Sequence, residues 1–301
     1  MNRFLVTALV IAIVAGCGSS GSAASPTPAA TPDVIETLAS VQPSVAPTVA
    51  ATEPPTPPAT PRPTPFPTAV FAALSDDPVS EDLAAKLQAA LASWTDFGDG
   101  GMAATVMTPD GTWSGAVGKA DGVHDLAVDS QFNIGSGTKP IIAAQVMLMV
   151  ESGEISLDAP ATDYLRSDFD FDFDSNGATI RQLLSHRSGI PDWYPAEPRA
   201  SDSISFARWW RAFCAGDVVS EASVTEMSTF YTDLGDEYGL GLMNPAAGYA
   251  QGVGHPGANF GYGSWSACLT EDHVIVVVLR NFEDDYLFEL GRPLVRAARP
   301  D

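Results

Sequence analysis

Ser136 and Lys139 stand three residues apart in FNIGSGTKPIIAAQVMLMVESGE, just ahead of a run, Pro140 to Met149, that is apolar on nearly every side. The chain has only three lysines, Lys86, Lys119 and Lys139, so a basic residue at the mouth of a buried segment calls for a reason. A serine hydroxyl is a poor nucleophile until a neighbouring group takes its proton. On a helix, positions i and i+3 face the same way, so a Ser136 that opens the helix would hold Lys139 beside it by backbone geometry alone. Removing the lysine from water disfavours its ammonium form, which lets a neutral amine act as a base near pH 7. The unpaired N–H groups and the positive dipole end of the helix start would also favour an oxyanion there. The plainer alternative is a serine that only caps the helix.

The elements that must position this pair can be read from periodicity. Pro140 to Met149 predicts a helix enclosed within the core. Glu81 to Trp94 carries Leu83, Leu87, Leu91 and Trp94 at helical spacing behind an N-cap at Ser80. Met102 to Met107 and Trp113 to Val117 flank Pro109-Asp110-Gly111 as two strands and a turn. Short helices follow over Thr179 to Leu184, Ile204 to Ala215 (ended by Gly216) and Glu221 to Phe230. Tyr238 to Met243, Gly252 to Gly257, Ser264 to Thr270 and His273 to Arg280 predict strands, the last nearly all β-branched and suited to the middle of a sheet. Helices first and hairpin-linked strands later make this an α+β fold, with helices packed on an antiparallel sheet.

The start of the chain reads differently. Met1-Asn2-Arg3, the apolar run Phe4 to Val14 and the small residues before Cys17 predict a secretory signal over residues 1–17, since the run falls short of the roughly 20 residues a spanning helix needs. A site ending in Cys17 resembles a bacterial lipoprotein signal, which implies lipidation of that cysteine and an extracytoplasmic, membrane-anchored protein; a chance cysteine after an ordinary signal is the alternative. Residues 18–74, rich in Pro, Thr and Ala, predict a disordered tether, which leaves residues 75–301 as the folded domain. A formal net charge of −22 argues against a nucleic-acid surface. Beyond Cys17 only Cys214 and Cys268 remain, which could form one disulfide in an exported protein or stay as two buried thiols. The four histidines, His124, His186, His255 and His273, lack metal-ligand spacing, and the alternating acids Asp168 to Asp174 read as a solvated edge or loop rather than a calcium site. No metal or other cofactor is expected.

FNIGSGTKPIIAAQVMLMVESGEISLDAPATDYL, followed by TIRQLLSHRSGIPDW, resembles the serine β-lactamase and penicillin-binding superfamily, nearest its class C, D-alanyl carboxypeptidase and esterase branch. SISFARWWRAFCAGDVVSEASVTEM, YGLGLMNP and GHPGANFGYGSWSACL resemble later segments, so the likeness runs from about Leu83 to Asn281. The resemblance implies a β-lactamase/transpeptidase-like fold and an acyl-enzyme formed on a small-molecule or peptide amide or ester. It makes Ser136 the nucleophile and Lys139 its proton partner. His255-Pro256-Gly257 takes the place of the K-T-G or H-x-G strand, with His255 and Gly257 contacting substrate and the N–H groups of Ser136 and Ala258 forming the oxyanion hole. His255 could equally be a plain strand histidine, and His186 reads as structural packing.

One part of the family pattern is missing. Only YPAEPRASD separates SGIPDW from SISFARWW, where the family carries a longer insertion holding its Y-x-N or S-x-N motif. None of Tyr164, Tyr194, Tyr231, Tyr238, Tyr249, Tyr262 and Tyr286 is followed two residues later by asparagine, and the spacing favours no stand-in, Tyr194 and Tyr231 included. Loss of one general acid or base costs about 10²- to 10⁴-fold in rate, so impaired catalysis is expected. A reduced helical lobe should also bare apolar surface near Trp193, Trp209 and Trp210, inviting a protein partner or a compensating loop. A non-catalytic descendant that binds cell-wall peptide or a protein partner is the competing reading.

Overall fold

The β-branched run at 274–280 becomes the middle strand of a five-stranded antiparallel sheet. The computed structural model describes residues 64–94, 98–164, 177–190, 199–231, 237–282 and 287–299. Along them run helices α1 (Thr68–Ala72) and α2 (Glu81–Leu91), then strands β1 (Gly101–Thr108), β2 (Gly111–Gly118) and β3 (Phe132–Asn133). A 3₁₀ turn (Gly135–Thr138) leads into α3 (Lys139–Glu151), followed by α4 (Ile180–Leu184), β4 (Ala200–Ser201), α5 (Ser203–Ala215) and α6 (Glu221–Met227). Strands β5 (Gly252–Asn259), β6 (Tyr262–Leu269) and β7 (Val274–Arg280) and helix α7 (Arg292–Ala298) complete the order.

The sheet runs β2-β1-β7-β6-β5 with every pairing antiparallel. Side chains alternate across a strand, and both faces of β7 are covered. Ile275, Val277 and Leu279 join Ala103 and Met107 in one apolar core beneath α3 and α5. Val274, Val276 and Val278 join Met102, Ala104 and Val106 in a second, closed by residues of α2 and α7. This is the α+β arrangement expected, with β5 at the open edge.

Local signals placed several elements. Ser80 Oγ accepts from Leu83 N at the start of α2, Thr179 and Gln182 form a reciprocal capping box on α4, and Gly216 ends α5 with φ of 81°. The predicted strand over Tyr238 to Met243 is corrected. It is a tight loop with isolated bridges from Tyr238 to Tyr231 and from Met243 to Gly254, closed by Gly239 N donating to Leu242 O at 2.7 Å. Gly241 in that loop has φ of 69°, and a Cβ there would lie 2.6 Å from the Cβ of Ala143, so the loop presses on α3 where a side chain would not fit. The helix predicted to reach Phe230 ends at Met227.

The domain boundary is also corrected. Residues 66–74 are packed structure rather than tether: Phe66, Phe71 and Leu74 are buried in the same core as Phe206, Trp210 and Phe213. Backbone N–H of Phe66 donates to Thr225 Oγ1 at 2.9 Å, and Arg211 pairs with Asp76 at 3.2 Å. The prolines on either side masked these three apolar positions in the composition. Trp210 is therefore fully buried, not bared, and Trp209 stacks on Phe213 with ring centroids 5.3 Å apart. The cover over Trp210 comes from the chain itself, from the segment that holds α1. Cys214 on α5 and Cys268 on β6 form a disulfide across a separation of 54 residues, which in the loop-entropy account stabilises the fold by about 4 kcal/mol.

The signal with Cys17, the tether up to residue 63, the acidic run 168–174, Trp193 and Tyr194 lie outside the described residues. Among the described residues no helix is long and apolar enough to cross a membrane. If residues 66–74 are a structural part of the domain, Phe71→Ala should destabilise the full-length protein by about 3–5 kcal/mol. Urea denaturation reads this directly, and an unchanged midpoint would return the segment to the tether.

Candidate active site

Ser136 lies on the 3₁₀ turn that precedes α3, not on the first turn of the α-helix itself. The difference tightens the pair, because side chains at i and i+3 eclipse in 3₁₀ geometry. Lys139 Nζ donates to Ser136 Oγ at 2.7 Å. The lysine is buried, at 7% exposure, whereas the serine is half-buried and reaches the surface.

Three hydrogen bonds fix the turn. Asn133 Oδ1 accepts from Gly135 N at 2.9 Å, Gly137 N donates to Ile134 O at 2.9 Å, and Ser264 Oγ from β6 donates to the same carbonyl at 2.7 Å. The turn then seats directly on the edge of β5. A Cβ on Gly257 would stand 2.2 Å from Ile134 O and 2.7 Å from Gly137 N, and one on Gly135, whose φ is 51°, would stand 2.9 Å from Ala258 N. Backbone meets backbone here, which only glycine permits. Gly257 was expected to contact substrate; the structure gives it this seating contact.

The register of β5 aims Ala258 at the turn. Gly254 exchanges both backbone hydrogen bonds with Met243, on the side away from β6. Backbone polar groups alternate sides along an antiparallel strand, so those of Pro256 and Ala258 also face outward. Pro256 has no N–H to leave unpaired on that edge. The Ala258 N–H is directed at the segment that carries Ser136, as an oxyanion hole built from Ser136 and Ala258 requires.

His255 points the other way and is buried, at 2% exposure. Its Nδ1 meets the carbonyl of Pro256, which can only accept, so Nδ1 carries the proton and Nε2 is the acceptor. Tyr238 Oη lies 3.0 Å from that Nε2 and therefore donates to it. Burial, with the charge on Lys139 next, pushes the His255 pKa down to about 3. The ring is held neutral. Tyr238, which is half-buried, covers that nitrogen. His186 packs edge-on against the Tyr238 ring, centroids 4.8 Å apart, in keeping with its packing role. Lys139, His186 and Tyr238 line one cavity of about 10 Å³, room for about one water molecule.

The sequence reading thus brought Ser136, Lys139, Ala258, Gly257 and His255 to one place, and it missed Asn133, Ser264 and Tyr238. Ser264 carried a faint signal as a polar residue in an apolar strand; Tyr238 carried none that spacing could reveal.

Residues 94–222 match the family model described as Beta-lactamase. The chain is 32% identical over 124 residues to the unguisins hydrolase ungD' of Aspergillus campestris, covering 39% of this chain and 23% of that protein. It is 40% identical over 67 residues to the esterase EstB of Burkholderia gladioli, covering 22% of this chain and 17% of that one. The chain therefore spans less than a quarter of the length of these two curated relatives. Among solved structures, the D-amino acid amidase of Ochrobactrum anthropi SV3 aligns with a TM-score of 0.55 at 16% identity, over 72% of this chain and 98% of that one. The octameric penicillin-binding protein homologue of Pyrococcus abyssi aligns at 0.57 and 15%, over 72% and 77%. At these identities the structures speak for the fold, over a larger share of the chain than the family model matches. The fold is that of the β-lactamase/transpeptidase group. Over residues 94–222 the chain is similar to the β-lactamase family, and its fold is the one these solved structures share.

Two outcomes follow from the geometry. Gly257→Ala must push the serine turn off β5, and displacement by about 1 Å costs on the order of 10²-fold in reactivity. The rate of covalent labelling at Ser136 measures it, and an unchanged rate would show that the seating is not needed. The second concerns pH. Unfolded, His255 protonates near 6.5; folded, only near 3. Its contribution is whole above pH 6.5 and is lost as pH falls toward 3, at up to about 1.4 kcal/mol per pH unit. His255→Gln should flatten the acid limb of the stability curve by that slope, and identical curves would refute the assignment.

Proposed function

We propose that this chain is an extracytoplasmic serine hydrolase that opens an amide or ester through an acyl-enzyme on Ser136. The observation that carries the reading is the 2.7 Å contact between Ser136 Oγ and the buried Lys139 Nζ. At that separation the lysine in its neutral form can take the hydroxyl proton as Oγ adds to the carbonyl carbon. The carbonyl oxygen, turning negative, would lie between the N–H groups of Ser136 and Ala258. The relatives, named as a hydrolase and an esterase, and the solved amidase support a small amide or ester as the substrate class.

Residues 1–17 support export, with Cys17 as the lipid-bearing residue and the Pro/Thr-rich segment as the spacer from the membrane. The Cys214–Cys268 disulfide favours the same compartment, since such bonds persist where the surroundings are oxidising.

Intact-mass analysis with a fluorophosphonate tests the reading. The full-length protein should gain one adduct, Ser136→Ala none, and Lys139→Ala should react about 10²- to 10⁴-fold more slowly. A wild-type protein that takes no adduct but still binds cell-wall peptide would replace the hydrolase with a binding protein on the same scaffold.

A further inference from the structure

The reaction needs a group to protonate what leaves. Lys139 can receive the serine proton, but an alkoxide or amide anion cannot depart without gaining one of its own. We infer that Tyr238 is a catalytic residue of this site, its phenol delivering a proton to the leaving group while His255 holds it in place. The inference rests on the acyl-enzyme reading above and adds a residue to it.

Four observations support this. Tyr238 and Lys139 both line one small cavity. Its hydroxyl lies 3.0 Å from Nε2 of His255, whose other nitrogen is occupied by Pro256, so the tyrosine is the donor and its oxygen lone pairs face away from the ring. The tyrosine is half-buried while the histidine it meets is buried, so it is the more accessible of the two. Lastly, its position is enforced by backbone and rings. Tyr231 N donates to Tyr238 O at 3.0 Å, Gly241 N donates to Leu184 O at 2.9 Å, and the His186 ring packs on its edge. Among the described residues, titratable groups placed around Tyr238 include Lys139 from α3, His186 from the turn after α4 and His255 from β5.

The proton inventory closes. Ser136 Oγ forms a bond to the carbonyl carbon and its proton passes to Lys139. As the bond from carbon to the leaving atom breaks, the Tyr238 hydroxyl rotates from His255 and protonates that atom. The resulting tyrosinate takes the proton from the Lys139 ammonium, which restores both groups and releases a neutral alcohol or amine. A neutral His255 keeps a lone pair on Nε2, so it can reclaim the hydroxyl hydrogen bond after each cycle. Hydrolysis of the acyl-enzyme runs the same transfers in reverse order with water in the leaving group's place.

Leaving-group dependence separates this role from packing. With one acyl group presented as a p-nitrophenyl ester and as an alkyl ester, Tyr238→Phe should slow acylation of the alkyl ester by about 10²- to 10⁴-fold. The nitrophenyl ester, whose phenolate leaves unprotonated, should lose less than about tenfold under the same general-acid argument. Retention of the fluorophosphonate adduct by Tyr238→Phe checks that the site is formed. Should that variant fail to fold, His255→Gln carries the comparison, with the same split in a milder form. Equal losses on both esters, or no loss on either, overturn the role of Tyr238 alone. A wild-type protein that takes no fluorophosphonate overturns the hydrolase reading and this inference with it.

Discussion

A contact between two backbones, closer than any side chain allows, fixes everything else at the site. The 3₁₀ turn rests on the edge of β5 at Gly135, Gly137 and Gly257, where a Cβ would meet main-chain or hydroxyl atoms at 3.0 Å or less. That approach brings an amide from the sheet within reach of a side chain on the helix. Neither element could supply both alone. A helix start offers donors in a row along its own axis, and a strand edge offers them along a line; apposing the two makes donors converge on one point. Ser264, reaching from β6 to the Ile134 carbonyl, holds this seam closed.

The seam also explains how two nitrogenous side chains are buried so near one another. Lys139 and His255 are both almost fully enclosed. Two charges there would repel with little solvent to screen them, so at most one can be charged at modest cost. The fold resolves the conflict through hydrogen-bond sense. The Pro256 carbonyl claims the proton on Nδ1, leaving Nε2 without one, and Tyr238 satisfies it from outside. An aromatic hydroxyl over a neutral ring therefore belongs to the electrostatics of the lysine as much as to the packing of the loop.

How much of this could be read from sequence depends on the distance over which each cause acts. The sheet was legible because β7 alternates apolar side chains to two buried faces, and the pairing of Ser136 with Lys139 was legible because one helical turn imposes it. The caps at Ser80 and Thr179 are local for the same reason. Tyr238 was not legible, since its place depends on Gly241 meeting Ala143 and on His255 arriving from a strand beyond it. The stretch at Tyr238 to Met243 looked like a strand because its hydrophobic residues alternate, while the glycines at 239 and 241 permitted a turn instead. Residues 66–74 failed in the opposite sense: composition averaged over a proline-rich window hid Phe66, Phe71 and Leu74.

Those two misread segments bear on the same loss. Where the chain is short, between Ile190 and Arg199, the family resemblance would call for a longer segment that covers apolar surface and carries a tyrosine. Here the cover comes from in front of the domain, as Phe66, Phe71 and Leu74 pack on the aromatic residues of α5. The tyrosine comes from behind α6, brought to His255 by a loop with no regular structure of its own. Core burial and donor placement impose conditions on where atoms lie, not on which part of the chain provides them. A scaffold whose sheet and serine turn are fixed by backbone contact can lose a peripheral segment and meet both conditions from elsewhere, as long as the replacements reach the same points in space.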